Sequence, residues 1–556
     1  MADNNYGGAK RTGPFTGIEF RSRQVTLILG SAGATGFLLM TYEYTGILYL
    51  LVGAAMAGLV LFGILLKPVI ERDTKKNDIN SNIPFFVTAF ATLATSDSNR
   101  ITQLDILSKK DKLGLIREDL GKIVNLVRNW KRGLSEASML LAEKTPSDVF
   151  ADFLSRFAHA IDSGQDFDDF VKTEANTVMS NFETAYQSAL YTFELYKDLY
   201  VSMLLAFAFL ITFVMIMPVL IPINVITVLV LSLMVVALGE TMLVYGIKIV
   251  LPNDPVWHDT GIKSEVQLKL ERIYKFALIG SGGIGAGLYL SGVLSVLPVY
   301  FIIPIVMTPL AYPSYLGSKY ERKVAKNDDM FGSFIRSLSG SASARGNLVI
   351  DALKAIVLHD FGVLTKDVRN LYKRLKYRVN SITAWKYFSA DTGSHLIEVF
   401  SGTFVESIDL GADAEMAGDI VARNFDRVVR MRRRRHAAAQ SYIGVLYGIT
   451  GGLAFALGIS FGVLKIINQI FTTFSTSTLT NFGIFVGQPA NSILLIQIFI
   501  SLILYVHSII AGLALKIADG GKMIFGVHHA VMMSWIVAVV IYGTLQITGA
   551  ILAGAL

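Results

Sequence analysis

Residues placed to do chemistry are few in this sequence, and most familiar constellations are missing from it. There are no cysteines among the 556 residues, which excludes disulfides, thiolate metal sites and cysteine nucleophiles. The eight histidines, at 159, 258, 359, 395, 436, 507, 528 and 529, form no H-x-x-x-H or H-E-x-x-H grouping. His528-His529 sits at the edge of an apolar stretch, where it reads as interfacial rather than metal-binding. Gly121-Lys122 and Gly521-Lys522 lack the Ser or Thr that a phosphate loop places after its lysine. Gly280-Ser281-Gly282-Gly283-Ile284-Gly285 fits G-x-G-x-x-G formally, but it lies in an apolar run with no strand before it, so dinucleotide binding is not expected. The sequence predicts no catalytic residue, no metal, no cofactor and no enzyme activity.

Two kinds of charged residue remain. Glu240, Lys248 and His507 stand within otherwise apolar stretches, where an ionisable group is costly and is a functional candidate until its partner is found. Lys248 lies near the end of its stretch and can snorkel toward water. Glu240 is about three turns from Pro252; as an isolated acid it makes no proton relay, and a structural pair or a protonated packing residue is expected. The second kind is basic. Arg423, Arg427, Arg430, Arg432, Arg433, Arg434 and Arg435, followed by His436, run directly into an apolar stretch. Such a cluster satisfies the positive-inside rule and attracts anionic lipid. The sharper reading has it dock an acidic surface of a partner, helped by Lys366, Arg369, Lys373, Arg374, Lys376 and Arg378. A position hard against a membrane argues against nucleic acid.

Composition identifies the medium. Hydrophobic residues make up 53% of the chain and charged residues 17%, against about 25% charged in an ordinary soluble domain; the mean hydropathy is +0.51. Runs of roughly 18 or more nearly uncharged residues, enough to span ~30 Å of hydrocarbon as a helix, recur along the chain. Nine candidate spans follow: Val25–Tyr42, Gly46–Leu66, Leu199–Pro222, Val225–Val250, Lys275–Val293, Ser295–Leu316, Ser441–Ile467, Ile493–Leu515 and Ala530–Leu552. The links 43–45, 222–224 and 293–296 and the stretch 468–492 hold no Lys or Arg. The opposite side holds Arg21, Arg23, Lys67, Arg72, Lys75, Lys76, Lys319, Arg322, Lys323 and the arginine run. The N-terminus and the large polar segments are therefore expected in the cytoplasm of a plasma membrane protein, with Leu556 outside. The first twenty residues are polar with no short apolar core, so the first span is expected to be an uncleaved anchor.

The polar segments read as helical. Thr145-Pro146-Ser147-Asp148 reads as an N-cap at Thr145, a proline at N1 and an acid in the first turn, and Val149, Phe153, Phe157 and Ile161 follow at i, i+4 spacing. Ile116, Leu120, Ile123 and Val127 give another apolar stripe. No alternating strand pattern competes. The organisation expected is a tail at 1–24, a transmembrane pair at 25–66, a helical domain at 67–198, a pair at 199–250, a linker at 251–274, a pair at 275–316, a second helical domain at 317–440 and three spans in 441–556. The fold class is an all-α polytopic membrane protein with two helical-bundle domains in a tandem parallel repeat.

The repeat is carried by FLSRFAHAIDSGQD from Phe153, which aligns with FSGTFVESIDLGAD from Phe400. Phe157 matches Phe404, Ile161 matches Ile408, Asp162 matches Asp409, Gly164 matches Gly411 and Asp166 matches Asp413, all at an offset of 408 − 161 = 247. Phe86-Val87 aligns with Phe334-Ile335 at 248. Glycines four apart (Gly444, Gly448 and Gly452; Gly458 and Gly462; Gly283 and Gly287) let helix backbones approach in lipid. Packing within one bundle is the first reading of that spacing, and a homodimer seam the second.

The duplicated I-D-x-G-x-D turn and the stretch MFGSFIRSLSGSASARGN from Met330 resemble the type II secretion F-domain superfamily. The layout, the long second domain and RVVRMRRRRHAAAQSY make the chain most similar to its archaeal branch, the membrane platform proteins of the archaellum. The resemblance covers nearly the whole chain. TSDSNR at 95–100 departs from ASARGN of the second domain, which leaves open whether both domains meet one partner. The resemblance implies a non-enzymatic platform that binds a hexameric secretion-type ATPase and passes force to pilin-like filament subunits, the archaellins. Neighbouring readings are the platform of an adhesion pilus or a secretion system. A secondary transporter is a reading from another class, disfavoured by the scarcity of polar residues in the spans.

Overall fold

A computed structural model describes residues 74–96, 98–217, 225–293, 296–346, 348–473 and 490–555. The chain divides into two compact units, 1–77 and 78–556. The expected spans Val25–Tyr42 and Gly46–Leu66 lie outside the described residues. Regular structure among those residues is helical apart from one isolated bridge between Trp257 and Ser394. We number the helices α1 (74–94), α2 (Arg100–Ser108), α3 (Leu115–Arg128), α4 (Leu134–Ala142), α5 (Asp148–Asp162), α6 (Phe167–Ile216), α7 (Val225–Val250), α8 (Glu265–Leu290), α9 (Val299–Ser343), α10 (Val349–Ile356), α11 (Thr365–Lys376), α12 (Ser381–Thr392), α13 (His395–Asp409), α14 (Ala414–Thr473), α15 (Ala490–Asp519) and α16 (Val527–Ala555).

Local chemistry explains where several of these begin. Ser147 caps α5 by accepting from the Phe150 N–H at 3.2 Å, and the apolar stripe behind it buries Phe150, Phe153 and Phe157. Phe153 meets Phe86 of α1 edge-on at 5.1 Å. Each such ring removed from water contributes roughly 1.5–3 kcal/mol. Ser264 opens α8 with a capping box closed by Gln267, which satisfies two orphan N–H groups at once. The residues 265–274 are therefore helix, where the sequence suggested linker.

Among the described residues, seven helices are long and apolar enough to cross a membrane: Asp169–Met215, Val225–Val250, Glu265–Leu290, Val299–Ser343, Ala414–Gln469, Ile493–Asp519 and Met523–Ile551. They coincide with the third to ninth expected spans, and the protein is a multi-pass, all-α membrane protein. Three of them do not stop at the membrane. α6, α9 and α14 run unbroken for 50, 45 and 60 residues, and at 1.5 Å per residue α14 is about 90 Å long, far beyond ~30 Å of hydrocarbon. Prolines 304, 309 and 313 lie inside α9 without ending it; the Tyr300 carbonyl, which Pro304 leaves without an N–H partner four residues on, accepts instead from the Tyr505 hydroxyl.

These long helices join two apolar cores. One lies in the polar layer and is continuous from Ile79–Tyr186 to Phe331–Met431, so the two expected domains share a core. Phe85 meets Phe400 at 5.6 Å, and Asn424 donates to the Thr88 hydroxyl at 3.0 Å. The other core lies among the spans, from Phe193 to Ile541. Ser147 and Ser394 both cap helices, Asp162 and Asp409 are both the last helical residues, and Gly164 and Gly411 both follow in the left-handed region at φ 68° and 86°.

Candidate functional site

The polar groups converge where the long helices leave one core for the other. On α14, Arg432 is turned inward and buried. Its Nε donates to both Asp254 carboxylate oxygens at 3.1 and 2.9 Å, Nη2 binds Asp254 as well, and Nη1 donates to Asp328 of α9 at 2.9 Å. Asp328 in turn accepts from the Ser394 hydroxyl, the cap of α13. One guanidinium thus ties together the α7–α8 linker, α9, α13 and α14. Burial pushes the Asp254 carboxyl up, but the Arg432 charge and hydrogen bonds outweigh it and hold it below its ordinary value.

One turn on, Arg435 is also buried. It donates to the carbonyls of Ala518 and Ile517 at 2.8 and 2.7 Å and to that of Pro252 at 2.6 Å. A guanidinium there satisfies the last carbonyls of α15 and meets the negative end of its dipole. Beside it, Lys516 bridges Glu321 at 2.5 Å and Asp519 at 3.2 Å, Trp257 donates to Glu321 at 2.9 Å, and His436 meets Asp519 at 2.7 Å.

This geometry corrects the arginine run as a docking surface. Arg432 and Arg435 are three apart on α14, one helical turn, and that face points into the protein; they are unavailable to any partner. Arg427 is half-buried beside Glu183 at 3.7 Å. Arg423, Arg430, Arg433 and Arg434 are exposed, Arg423 against Asp419 and Arg433 against Asp329. A second basic surface stands apart on α11, which packs chiefly on α10 and α12. Val368, Leu371 and Leu375 are its buried face, leaving Lys366, Arg369, Lys373 and Lys376 as an exposed stripe. Arg374 is only half-exposed: it pairs with Asp391 at 2.6 Å and lies over the Tyr387 ring at 5.1 Å.

Among the spans, Glu240 has a partner after all. Its Oε1 is 3.0 Å from His507 Nδ1, its Oε2 accepts from Tyr200 at 3.0 Å, and His507 Nε2 is 3.0 Å from the Thr450 hydroxyl. The cluster is buried and draws on α6, α7, α14 and α15. Lys248 is exposed near the end of α7, free to snorkel as expected. At the seam between the two halves of the polar layer, Lys112 reaches Glu398 at 2.9 Å and Lys110 reaches Glu406 at 2.8 Å. Burial would raise the Glu398 carboxyl, but hydrogen bonds from His395, the Asp259 N–H and Lys112 bring it down to about 2. No group of three or more metal-ligating side chains occurs among the described residues.

The sequence reading missed Asp254, Glu321, Asp328 and Lys516. The available signal was periodicity: Val421, Phe425, Val429, Arg432, Arg435, Ala439 and Tyr442 trace one buried stripe along α14, and the two arginines fall on it.

Comparison with known proteins fits this architecture. The family model described as Type II secretion system (T2SS), protein F matches residues 86–218, from within α1 to the end of α6. Flagella accessory protein J of Methanocaldococcus jannaschii is 34% identical over 532 residues, 91% of this chain and 94% of that protein. The chain belongs to the flagella accessory protein J family. A second member, from Methanococcus voltae, is 32% identical over 552 residues, 97% of this chain and 98% of its own length. No solved structure matches the chain. In this flagella accessory protein J family member the T2SS F match thus covers the first polar bundle and its exit helix, and the junction built on Arg432 lies beyond it.

Proposed function

We propose that the chain is the membrane platform of an archaellum-type filament machine, a non-catalytic part that couples a cytoplasmic, hexameric secretion-type ATPase to assembly of pilin-like archaellins outside. The observation that carries this reading is the run of three unbroken helices, α6, α9 and α14, from the polar layer into the spans. A part that passes force between two layers needs stiff elements common to both, and the buried charges around Arg432 brace those elements where they cross. The names of the relatives support the filament, and the lysine and arginine distribution supports a cytoplasmic polar layer. Matching helix ends at Asp162 and Asp409, each followed by a left-handed glycine, support a platform that presents two related faces to a partner of higher symmetry.

The docking surface in this reading is the α11 stripe of Lys366, Arg369 and Lys373, with the exposed Arg430, Arg433 and Arg434 of α14 as a second contact to an acidic partner or to anionic lipid. Exposed charge of one sign governs encounter and specificity with a partner of the other. The test is complementation of a strain lacking the chain with a Lys366→Glu, Arg369→Glu, Lys373→Glu triple variant. The variant should insert in the membrane at normal level, fail to co-purify with the ATPase and build no filaments. Normal co-purification and normal filaments would remove α11 as the docking surface.

A further inference from the structure

We propose that a cavity at the polar end of the spans is a binding site for one anionic lipid headgroup, held by Lys263, Lys275 and Lys522. The cavity, about 480 Å³, is assembled from three stretches far apart in sequence: the linker before α8, the first turns of α8, and the turn between α15 and α16. Trp257, Tyr274 and Phe525 form its apolar wall, with the Tyr274 and Phe525 rings 6.3 Å apart and the Tyr274 hydroxyl donating to the Ile524 carbonyl at 3.0 Å.

Three lysines face two carboxylates on this wall, Glu271 and Asp259, and Glu271 lies within the field of all three, which leaves an excess of positive charge. Lys522 sits over the Trp257 ring at 5.3 Å, and neither Lys522 nor Lys275 is paired with a carboxylate among the described residues. Lys263 shares the exposed Glu271 at 2.8 Å; Asp259 is the other acid on the wall. His258, also on the wall, is buried, and its Nε2 has no hydrogen-bond partner while Nδ1 meets Thr260 at 3.1 Å. The tautomer in which Nδ1 accepts from Thr260 leaves an Nε2–H unspent. Burial lowers the affinity of this imidazole for a second proton, so it adds no fourth charge beside the three ammonium groups.

Position selects a lipid among anions. Lys275 is the last charge before the apolar part of α8, and the residues that follow, Phe276, Leu278 and Ile279, are each 68% exposed. None of the most apolar window of α8 is buried within the chain. Met523 and Ile524 flank the cavity and are exposed too. A phosphate among the lysines would therefore carry its acyl chains directly along the bare apolar wall of α8. Basic side chains at the membrane surface attract anionic headgroups in this way.

The experiment uses the full-length protein in neutral detergent, with retained lipid counted by native mass spectrometry after exposure to mixed micelles of phosphatidylcholine and phosphatidylglycerol. Wild type should retain one phosphatidylglycerol preferentially. Replacing any one of Lys263, Lys275 or Lys522 by Gln should weaken retention about fivefold. Lys248→Gln, which removes an exposed cation at another span end, should change nothing. Thermal unfolding in phosphatidylcholine alone should be the same for all variants, which separates lost binding from lost folding. Equal retention by the wild type and the triple Gln variant overturns the site. Full displacement of the lipid by millimolar inorganic phosphate makes it a soluble-anion site and overturns the assignment to lipid.

Discussion

Replacing Arg432 by Met probes the junction most sharply, because the side chain's length stays and its charge goes. Arg432 is 5% exposed and serves two carboxylates, Asp254 and Asp328, which are 14% and 1% exposed as side chains. The variant leaves both acids buried against each other without a cation. Removing one partner of a buried pair costs about 3–5 kcal/mol, and here two acids are stranded, so the upper part of that range applies. Against a total stability of about 5–15 kcal/mol this is a large fraction. Arg432→Lys keeps the charge but not the planar fork that meets Asp254 with two nitrogens, and should lose about 1–3 kcal/mol. Thermal unfolding in detergent, paired with limited proteolysis of the 251–264 linker, measures both. The pH dependence gives an independent sign. In the wild type the Asp254 carboxyl titrates below its ordinary 3.8, so its contribution is complete above that value and is lost only as the pH falls beneath it. In the Met variant the main opposing charge is gone, leaving only Arg435 and His436 near Asp254 and the Ser394 hydroxyl on Asp328, and burial raises both acids. Protonation then relieves the site, and as the pH drops from about 7 to about 5 stability should rise more steeply than in the wild type, where burial already raises Asp328 to about 6. A Met variant within about 0.5 kcal/mol of wild type, with no such rise, would refute the junction, since that is the scatter of an ordinary surface substitution.

Two further perturbations follow from the spans. A Cβ at Gly458 or Gly462 would run into Thr544 or Thr548 of α16, whereas Gly444 and Gly448 face open space; Gly458→Val and Gly462→Val should cost about 1–3 kcal/mol in thermal unfolding, and Gly444→Ala almost nothing. His507→Ala leaves Glu240 with Tyr200 alone and should destabilise by about 1–3 kcal/mol, while Glu240→Gln, which keeps both hydrogen bonds, should cost less. In the double variant the two costs should fall short of their sum, because the groups share one network.

How much of this was legible follows from the range of each interaction. Helices written by local pattern were readable: α7 begins and ends at the residues its hydropathy predicts, and the Asp162 helix end stands where turn chemistry puts it, while the cap of α5 falls on Ser147, two residues past the expected Thr145. Pairings across long separations were not. Glu240 and His507 were each singled out as costly in lipid, yet nothing local shows that they meet across 267 residues. Glu321, Asp328 and Lys516 lie near polar neighbours, where a charge raises no question until the fold buries it. The arginine run misled for a different reason. Taken as a block of seven like charges it reads as a surface; taken at 3.6 residues per turn it divides into an inward pair and an outward set. Glycine spacing failed similarly, since the same four-residue interval describes the Gly458 contact and the open Gly444.

The central claim is that the polar layer is gripped by an ATPase, and photo-cross-linking in living cells tests it most directly. A photoreactive amino acid is placed at Arg369, on the exposed stripe of α11, in cells that are assembling filaments, and cross-linked proteins are identified by mass spectrometry. The account predicts one dominant adduct, a secretion-type ATPase, lost when Lys366 and Lys373 are reversed to Glu. Adducts only to filament subunits or to proteins outside the cell, or an ATPase adduct untouched by the reversal, would contradict it.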